Sequence, residues 1–459
     1  MEVFIIIFLI FFSILAIKRI DLSLFVLAAL LPSYLIRFQI LGIPFTLLES
    51  MILIVFAIWF YQKWPHLKKG LKDKIISYPF AKEIILLLII SFSALIVADF
   101  SLAALGIWRA YFLEPILLFI VAVNVFLVSK NRQKLFFAFG LSVLSVSLLA
   151  IYQKISGQLI SNDFWAAAET RRVVSWFGYP NAVGLFLAPL IAFFLGVFHS
   201  FPNLTKFSGA LKKLFFLLLI FLGALSIYFA RSDGGLIAFM AGVFVFYFLA
   251  DKKKRIISIC LAGIFILLAL LYSPLGEMLK NRLGFQDLSG RIRLQQWEET
   301  IETFKGKAFV FGNGLSGYQA AVEPYHQDGL FFNYDGLDNF DAVVWASSTL
   351  REKYWQPVEI YLYPHNFFLN FWTELGFFGA LLFIWLVFKA MFIALKGFNK
   401  LSKENSREKY LFLGLLVAFL VIFIHGLVDV PYFKNDLSAM FFLLLALLAS
   451  LKLELENKN

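Results

Sequence analysis

The chain has 459 residues, of which 61% are hydrophobic, 18% aromatic and only 15% charged. A soluble protein cannot bury that much apolar surface, so the composition excludes an ordinary soluble domain and predicts a polytopic membrane protein. The formal net charge of +11 does not indicate a nucleic-acid partner, because most Lys and Arg lie in short links between apolar runs. The single cysteine, Cys260, excludes an intramolecular disulfide.

Apolar runs long enough to cross a bilayer as helices, about 17 to 25 residues each, recur along the chain. We count twelve or thirteen, at 2–17, 22–38, 44–62, 82–99, 110–128, 134–154, 178–199, 212–230, 234–250, 256–273, 373–395, 410–428 and 436–452. Lys18 and Arg19 follow the first run rather than precede it, which predicts a spanning helix and not a cleaved signal segment. The predicted fold is an all-α polytopic membrane protein.

The basic residues predict the orientation. One set of alternate links, together with the C-terminal tail, holds 25 Lys and Arg, whereas the short links of the other set hold seven. The rich links are 18–21, 63–82, 130–134, 206–213, 252–255 and 396–409. This set is predicted to be cytoplasmic. The predicted division is an N-terminal helical bundle at 1–273, one large extracytoplasmic loop at 274–364 and C-terminal helices at 365–459.

Ionisable side chains recur near the predicted outer ends of the helices. In chain order they are Glu49, Arg109, Glu114, Arg171, Arg172, Arg231 and Asp233. Charges at membrane depth are costly and are functional candidates by default. A single Arg could instead be an interfacial residue that reaches the lipid headgroups. The convergence of several Arg and acidic residues on one side favours a site.

The long loop carries two recognisable patterns. Residues 290–304 place Trp297, Ile301 and Phe304 on one apolar face of a helix. The sequence 312–317 spells GxGxxG, but no βαβ pattern surrounds it, so we predict a turn rather than a dinucleotide site. Tyr, Trp, Asp and Asn are frequent in 325–363, which suits a carbohydrate-binding surface and a mobile loop equally.

The loop ends in Pro364-His365-Asn366, followed by Glu374. A lone His is more often structural, but His365 lies where the chain re-enters the membrane. With an ordinary pKa of about 6.5, imidazole is a suitable base for a hydroxyl nucleophile at neutral pH. The sequence has no HExxH motif, Cys/His cluster or Walker loop, so neither a metal nor a nucleotide cofactor is predicted.

Five patches, taken together, resemble the O-antigen ligase and O-antigen polymerase superfamily. They are 177–181, 230–235, Gly290-Arg291 with Trp297 and 311–314, Pro364-His365-Asn366 with 374–376, and 425–433. The resemblance follows the order of the whole chain, although each motif is short. It implies a GT-C-like membrane glycosyltransferase that takes a glycan from an undecaprenyl diphosphate carrier outside the bacterial cytoplasmic membrane. The acceptor would be a hydroxyl on lipid A core, another carrier-linked glycan or a protein.

The resemblance also implies site residues. The catalytic His of the family falls on His365, and its essential Arg residues fall on Arg231 and Arg291, with Arg172 a weaker match. Guanidinium groups suit the grip on a leaving diphosphate, and His365 suits the activation of the acceptor hydroxyl, which together give inversion without a metal. The expected supporting or acceptor-orienting residues are Arg171, Asn181, Asn366, Glu374, Trp297, Glu49, Arg109, Glu114, His425 and Asp429.

Alternatives remain open at this point. Within the superfamily, a repeat-unit polymerase or a protein O-oligosaccharyltransferase fits as well as a ligase, because the acceptor would be read by 318–363, which has little pattern. A transporter or lipid-linked glycan flippase predicts internal repeats and charges in both leaflets. The sequence has no internal repeat, and its intramembrane charges lie on one side apart from Lys389. Expected partners are the carrier-linked donor, the acceptor, membrane lipids and a possible chain-length regulator.

Overall fold

A computed structural model describes residues 2–40, 42–67, 78–201, 207–272, 276–277, 280–282, 284–404 and 406–457. The N-terminal helices are α1 Glu2–Lys18, α2 Ile20–Ala29, α3 Leu47–Leu67, α4 Ala81–Val97, α5 Leu102–Trp108, α6 Glu114–Phe126, α7 Ser129–Ser156 and α8 Asp163–Ala166. They continue with α9 Pro180–Ser200, α10 Phe207–Phe229, α11 Asp233–Ala250 and α12 Lys252–Leu271. A π-helical turn, Arg109–Leu113, joins α5 to α6.

The long polar interval folds into short elements. Its helices are α13 Leu288–Glu302, α14 Lys307–Phe311, α15 Tyr318–Val322, α16 Phe340–Ala346 and α17 Ser348–Tyr354. The strands β3 Gly329–Phe331 and β4 Trp355–Pro357 pair antiparallel. After the interval come α18 Phe367–Leu375, α19 Phe377–Lys403, α20 Lys409–Gly426 and α21 Asn435–Asn457.

Among the described residues, eight helices are long and apolar enough to cross a membrane, judged by length and composition. They are Leu102–Phe126, Ser129–Ser156, Pro180–Ser200, Gly209–Phe229, Asp233–Ala250, Phe377–Lys403, Lys409–Gly426 and Asn435–Asn457. Helices also lie at the other predicted runs, as α1, α4 and α12 illustrate. The chain is therefore a mostly helical, multi-pass membrane protein, as its composition predicts.

The centre of the bundle is formed by helices that are apolar all round. Within the most apolar stretches of α9 and α21, 89% of the residues are buried inside the protein. Helix α9 meets α20 closely, because Gly196 and Gly414 allow the two backbones to touch, and a Cβ on Gly414 would lie 2.7 Å from the Phe193 carbonyl oxygen. Close approach through small residues is a common way for membrane helices to pack.

Two predictions about local structure are wrong. The predicted span 22–38 is a ten-residue helix that gives way to a 3₁₀ turn and to the hairpin of β1 Arg37–Ile40 with β2 Ile43–Thr46. The Pro at the start of the 3₁₀ turn, Pro32, cannot continue an α-helix hydrogen-bond pattern. The predicted apolar run 373–395 is also broken, at Gly376, whose φ of +80° ends one helix before the next begins.

The buried face of α13 also differs from the prediction. Ile301 is 55% exposed, whereas the buried positions are polar, at Gln295, Gln296, Glu299 and Thr300. Their side chains find partners in the loop, so burial does not leave most of them unpaired; Glu299, for example, accepts the Gln327 N–H at 2.9 Å. Parts of the predicted basic links 63–82 and 206–213, and the predicted boundary at 273/274, lie outside the described residues.

Candidate functional site

A cavity of about 600 Å³ lies between the start of α9, one face of α13 and residues 359–365. We call it the α9–α13 cavity. Arg172, Asn181, Arg293 and His365 all line it. The structure thus brings together three residues that the sequence analysis selected and one, Arg293, that it did not.

The helical period of α13 explains why Arg293 lines the cavity. Ser289, Ile292, Arg293 and Gln296 are spaced as one face of a helix, and all four are cavity residues. Arg291 precedes Arg293 by two residues, which is about 200° around the helix, and its side chain is exposed. The structure therefore places Arg291 outside the cavity lining. The polar repeat along this face was the signal that could have identified Arg293 and Gln296.

His365 is held in place from several directions. Its ring packs edge-on against Tyr361 and Tyr363, with centroid distances of 5.2 and 5.3 Å. Its Nδ1 lies 3.1 Å from Oε1 of Gln296. The indole N–H of Trp297 donates to the carbonyl oxygen of Pro364 at 2.9 Å, so α13 contacts both the ring and the preceding peptide. The φ of His365 is +46°, in the left-handed region.

The surroundings of His365 favour the neutral imidazole. Burial lowers the pKa of His365 below its usual value, the carboxylate of Asp429 opposes that shift, and the positive charge of Arg293 adds to it. A histidine that stays neutral to lower pH keeps a lone pair available to accept a proton. His365 is therefore suited to act as a base in this cavity.

The guanidinium of Arg172 is held by neutral oxygens. Its Nε donates to the Ala230 carbonyl at 3.0 Å, and its Nη2 is 3.2 Å from both Oδ1 of Asn181 and the carbonyl oxygen of Arg231. None of these partners carries a negative charge. Asn181, predicted as a supporting residue, thus orients Arg172.

Arg293 is held in the same way. Its Nε donates to the Val428 carbonyl at 3.0 Å, and its Nη1 donates to Oγ of Ser289 at 2.7 Å. Within the part of the chain that the structure describes, neither Arg293 nor Arg172 forms an ion pair with a carboxylate. Two positive charges thus face the cavity without direct compensation, which is the arrangement that an anionic ligand needs.

Arg231 lies next to this pair rather than in the cavity lining. Its side chain is exposed, and its Nη2 is 3.5 Å from the Glu169 carbonyl oxygen. Burial lowers the pKa of Arg172, the charges of Arg231 and Arg293 lower it further, and Asp233 opposes them. Asp233 itself pairs with Arg282. The charges of Arg231 and Arg293 therefore both reach the guanidinium of Arg172.

Several predicted supporting residues have structural contacts instead. Asn366 caps α18 by accepting the Leu369 N–H at 3.1 Å, and its Nδ2 donates to the Leu427 carbonyl. The buried carboxylate of Glu374 accepts the Ser316 N–H at 2.6 Å.

Arg171, which directly precedes Arg172, packs against a loop. The guanidinium of Arg171 donates to the Ala166 carbonyl at 3.1 Å and covers Gly157 so closely that a Cβ there would lie 2.8 Å from Cζ.

The GxGxxG stretch is a turn, as predicted. Gly312 and Gly314 have φ values of +73° and +81°, and Ser316 has +65°. Gly312 packs on the end of α18, where a Cβ would lie 2.6 Å from the Gly376 nitrogen. The glycines are needed for that close approach and for the left-handed backbone.

The predicted N-terminal charges form a separate group, which we call the Arg109 cluster and define as Glu49, Arg109, Glu114 and Asn435. The guanidinium of Arg109 lies 3.3 Å from both carboxylates. Glu49 also accepts from Nδ2 of Asn435 at 3.0 Å. The two Glu are 4% and 0% exposed, and no member of the cluster lines the α9–α13 cavity. The structure thus separates these predicted residues from His365.

His425 and Asp429 are buried and are not among the residues that line the cavity. His425 is 2% exposed and packs among glycines of α9 and α11, since a Cβ on Gly235 would lie 3.2 Å from its Cε1. Asp429 is also 2% exposed, and its Oδ1 accepts the Val430 N–H at 2.8 Å. Asp429 affects the site through its charge, which reaches His365.

Part of the chain resembles a known protein family. Residues 218–384 match the family model for O-antigen ligase. The predicted resemblance to the O-antigen ligase and polymerase superfamily is confirmed. The matched stretch runs from within α10 into α19, and it includes Arg231, α13 and His365. The match supports glycan transfer of the ligase or polymerase type in general. None of the curated proteins compared with the chain matches it.

Proposed function

We propose that this protein transfers a glycan from an undecaprenyl diphosphate carrier to an acceptor hydroxyl on the outer side of a bacterial cytoplasmic membrane. The observation that carries the proposal is the cavity in which Arg172 and Arg293, both without a carboxylate partner among the described residues, face the same space as His365. A neutral base and fixed positive charges are the groups that displacement of a diphosphate requires.

The reaction we propose is a single displacement with inversion. His365 takes the proton of the acceptor hydroxyl, and the hydroxyl oxygen forms a bond to the anomeric carbon of the donor glycan. The bond from that carbon to the carrier diphosphate breaks, and the diphosphate leaves with the electron pair. Arg172 and Arg293 neutralise the charge that develops on it, with Arg231 at the margin, so we expect transfer without an added divalent metal. Arg291, which is exposed, has no role in this step.

The wider architecture belongs to the same proposal. We assign 1–273 and 365–459 to a GT-C-like bundle of twelve or thirteen spanning helices, and 274–364 to a periplasmic or extracellular segment. The excess of Lys and Arg in the opposite links supports that orientation. The cavity wall that includes Trp165, Gln319 and Glu359 combines an aromatic face with polar groups, which suits a sugar.

The test uses purified protein in detergent with undecaprenyl diphosphate-linked glycan and acceptor. We expect the wild type to transfer glycan and His365→Ala to lose transfer while remaining folded in the membrane. Transport has no meaning in detergent, so turnover there separates this proposal from a transporter or flippase. Unimpaired transfer by His365→Ala would remove the proposed base from the mechanism.

A second experiment addresses which class of acceptor receives the glycan. A ligase, a repeat-unit polymerase and a protein O-oligosaccharyltransferase share the donor and the chemistry, and no single residue separates them. Deletion of the gene separates the first two by what accumulates on the carrier: long chains indicate a ligase, and single repeat units indicate a polymerase, with or without a chain-length regulator.

A further inference from the structure

Gln296 occupies an unusual position beside His365. It lines the α9–α13 cavity, yet it is only 2% exposed. Its Oε1 lies 3.1 Å from Nδ1 of His365, whereas its Nε2 has no hydrogen-bond partner among the described residues and no exposed surface. An unpaired buried amide donor destabilises the folded protein. A hydrophobic residue would avoid that cost, so the amide calls for a reason connected with the site.

The orientation of the Gln296 amide is linked to the tautomer of His365. With Oε1 facing Nδ1, as it does here, the amide oxygen can only accept a hydrogen bond, so Nδ1 of His365 carries the proton. In a neutral imidazole, the other nitrogen, Nε2, then holds the lone pair. That is the form a general base needs. If the amide of Gln296 were turned around, its NH₂ group would donate to Nδ1, and His365 would instead carry its proton on Nε2, where it could not accept one.

Neighbouring contacts stabilise the arrangement of His365 and Gln296. Trp297, the next residue of α13, donates to the Pro364 carbonyl at 2.9 Å. Two successive residues of one helix thus hold the His365 ring and the peptide before it. A left-handed backbone is unfavourable at a residue other than glycine, so the φ of +46° at His365 persists because its surroundings hold it.

We propose that Gln296 is the positioning residue of His365: its carboxamide oxygen fixes the Nδ1–H tautomer and directs the free Nε2 of His365 at the acceptor hydroxyl. This inference rests on the proposed function, because it assigns a partner to the proposed base.

Two substitutions of Gln296 separate positioning from packing. Gln296→Glu keeps an accepting oxygen but adds a negative charge next to His365, which stabilises the imidazolium. The acid limb of the pH dependence of kcat/KM should move to higher pH by about one unit, with activity recovered above it. Gln296→Leu removes the acceptor, and kcat should fall at least about 10-fold with little change in KM for the donor. A residue that only fills space would not move the pH profile.

The charges around His365 define what the pH profile reports. Asp429 and Arg293 act on His365 electrostatically, and the rings of Tyr361 and Tyr363 contact it. None of these groups changes in the Gln296 variants, so a shift of the acid limb reports the new carboxylate. The matched control is Gln133→Glu, the same substitution at an exposed position near the start of α7, which should leave the profile in place.

A second measurement tests the proposal even if a Gln296 variant fails to fold. The chain has five His. Selective ¹⁵N labelling of histidine in the wild-type protein gives the tautomer of each, and His365→Ala assigns the signal of His365. We expect protonated Nδ1 and unprotonated Nε2; the opposite tautomer would overturn the role of Gln296. An inactive His365→Ala together with a wild-type pH profile for Gln296→Glu would likewise reject Gln296 alone. An active His365→Ala would instead reject the proposed function.

Discussion

The α9–α13 cavity and the Arg109 cluster both place arginine near the same end of the helix bundle, but only the arginine of the cluster is paired with carboxylates in the described part of the chain. Arg109 lies 3.3 Å from each of two buried carboxylates. Arg172 and Arg293 are held by carbonyl, amide and hydroxyl oxygens. The first arrangement is closed on itself, and the second leaves positive charge facing about 600 Å³ of space.

The difference teaches that an ionisable residue in a membrane protein is not by itself a site. The cost of placing a charge away from water can be met by an opposite charge in the protein or by a ligand. In the Arg109 cluster, carboxylates of the protein itself supply the opposite charge, and the contacts join α3, the π-helical turn and α21. In the cavity, an anionic ligand would supply the opposite charge. Four substitutions test this contrast, two by their effect on the transfer rate, one by its effect on stability and one by its effect on pH dependence.

Arg293→Ala should have the largest effect on transfer. A hydrogen bond to a charged group contributes about 1.5–3 kcal/mol, so we expect kcat to fall by about 10- to 150-fold. The matched control is Arg291→Ala on the exposed side of the same helix, which should stay within about two-fold of the wild type. Initial rates with carrier-linked glycan measure both. Equal losses in the two variants would contradict the assignment of Arg293 to the cavity.

Arg109→Met should reduce stability rather than chemistry. It leaves the carboxylates of Glu49 and Glu114 buried without their cation, and breaking a buried pair in this way costs about 3–5 kcal/mol. Thermal unfolding in detergent should shift to lower temperature, while the transfer rate per folded molecule stays near that of the wild type. A large loss of rate without a loss of stability would instead move Arg109 into the functional site.

Arg172→Lys should cost about 10-fold in kcat, less than removal of a guanidinium altogether. Lysine keeps the charge, but it cannot donate in the fork geometry by which Arg172 contacts Ala230, Asn181 and the Arg231 carbonyl. The stability of the variant should change little, and a thermal unfolding curve serves as the control. A near-normal rate would mean that a point charge is sufficient at this position.

Asp429→Asn should give the smallest effect, a shift in pH dependence. Burial lowers the pKa of His365, so the acid limb of kcat/KM should lie below pH 6.5, the ordinary value, and transfer should be lost only as His365 becomes protonated below it. The Asp429 carboxylate raises the pKa of His365, so its removal should move the limb to still lower pH. Asparagine keeps an oxygen for the Val430 N–H. A shift to higher pH would contradict the electrostatic account.

The sequence was most informative where apolar length decides the structure and least informative where helix phase does. Long apolar runs predicted most of the helices, and the motif order led to His365, Arg172 and Asn181, which share the cavity. Arg291 was selected because a short motif contains it, yet the phase of α13 directs Arg293 at the cavity instead. An apolar count also cannot detect a polar buried helix face such as that of Gln295 and Gln296.

Other differences arise from contacts between distant parts of the chain. In the sequence, Glu374 lies close to His365 and was predicted to support the site. In the structure, its carboxylate oxygen accepts a hydrogen bond from the backbone N–H of Ser316, 58 residues earlier. Arg109 and Glu49, which are 60 residues apart in the chain, likewise pair with each other, and this pair lies outside the cavity lining. Single-sequence reasoning identified these side chains as buried charges of interest, but it could not tell which charges find each other.

The turn at 312–317 has an evolutionary consequence. Glu374 binds it through Ser316, and Gly312 packs on the same helix end, so the chain leaves for 318–358 from a point fixed to α18. It returns to a second fixed point, where Trp297 grips Pro364. Insertions and substitutions between β3 and β4, away from Tyr361 and Tyr363, can therefore accumulate without moving His365. Under the proposed function, variation there would alter the surface that meets the acceptor and leave unchanged the residues that act on the donor.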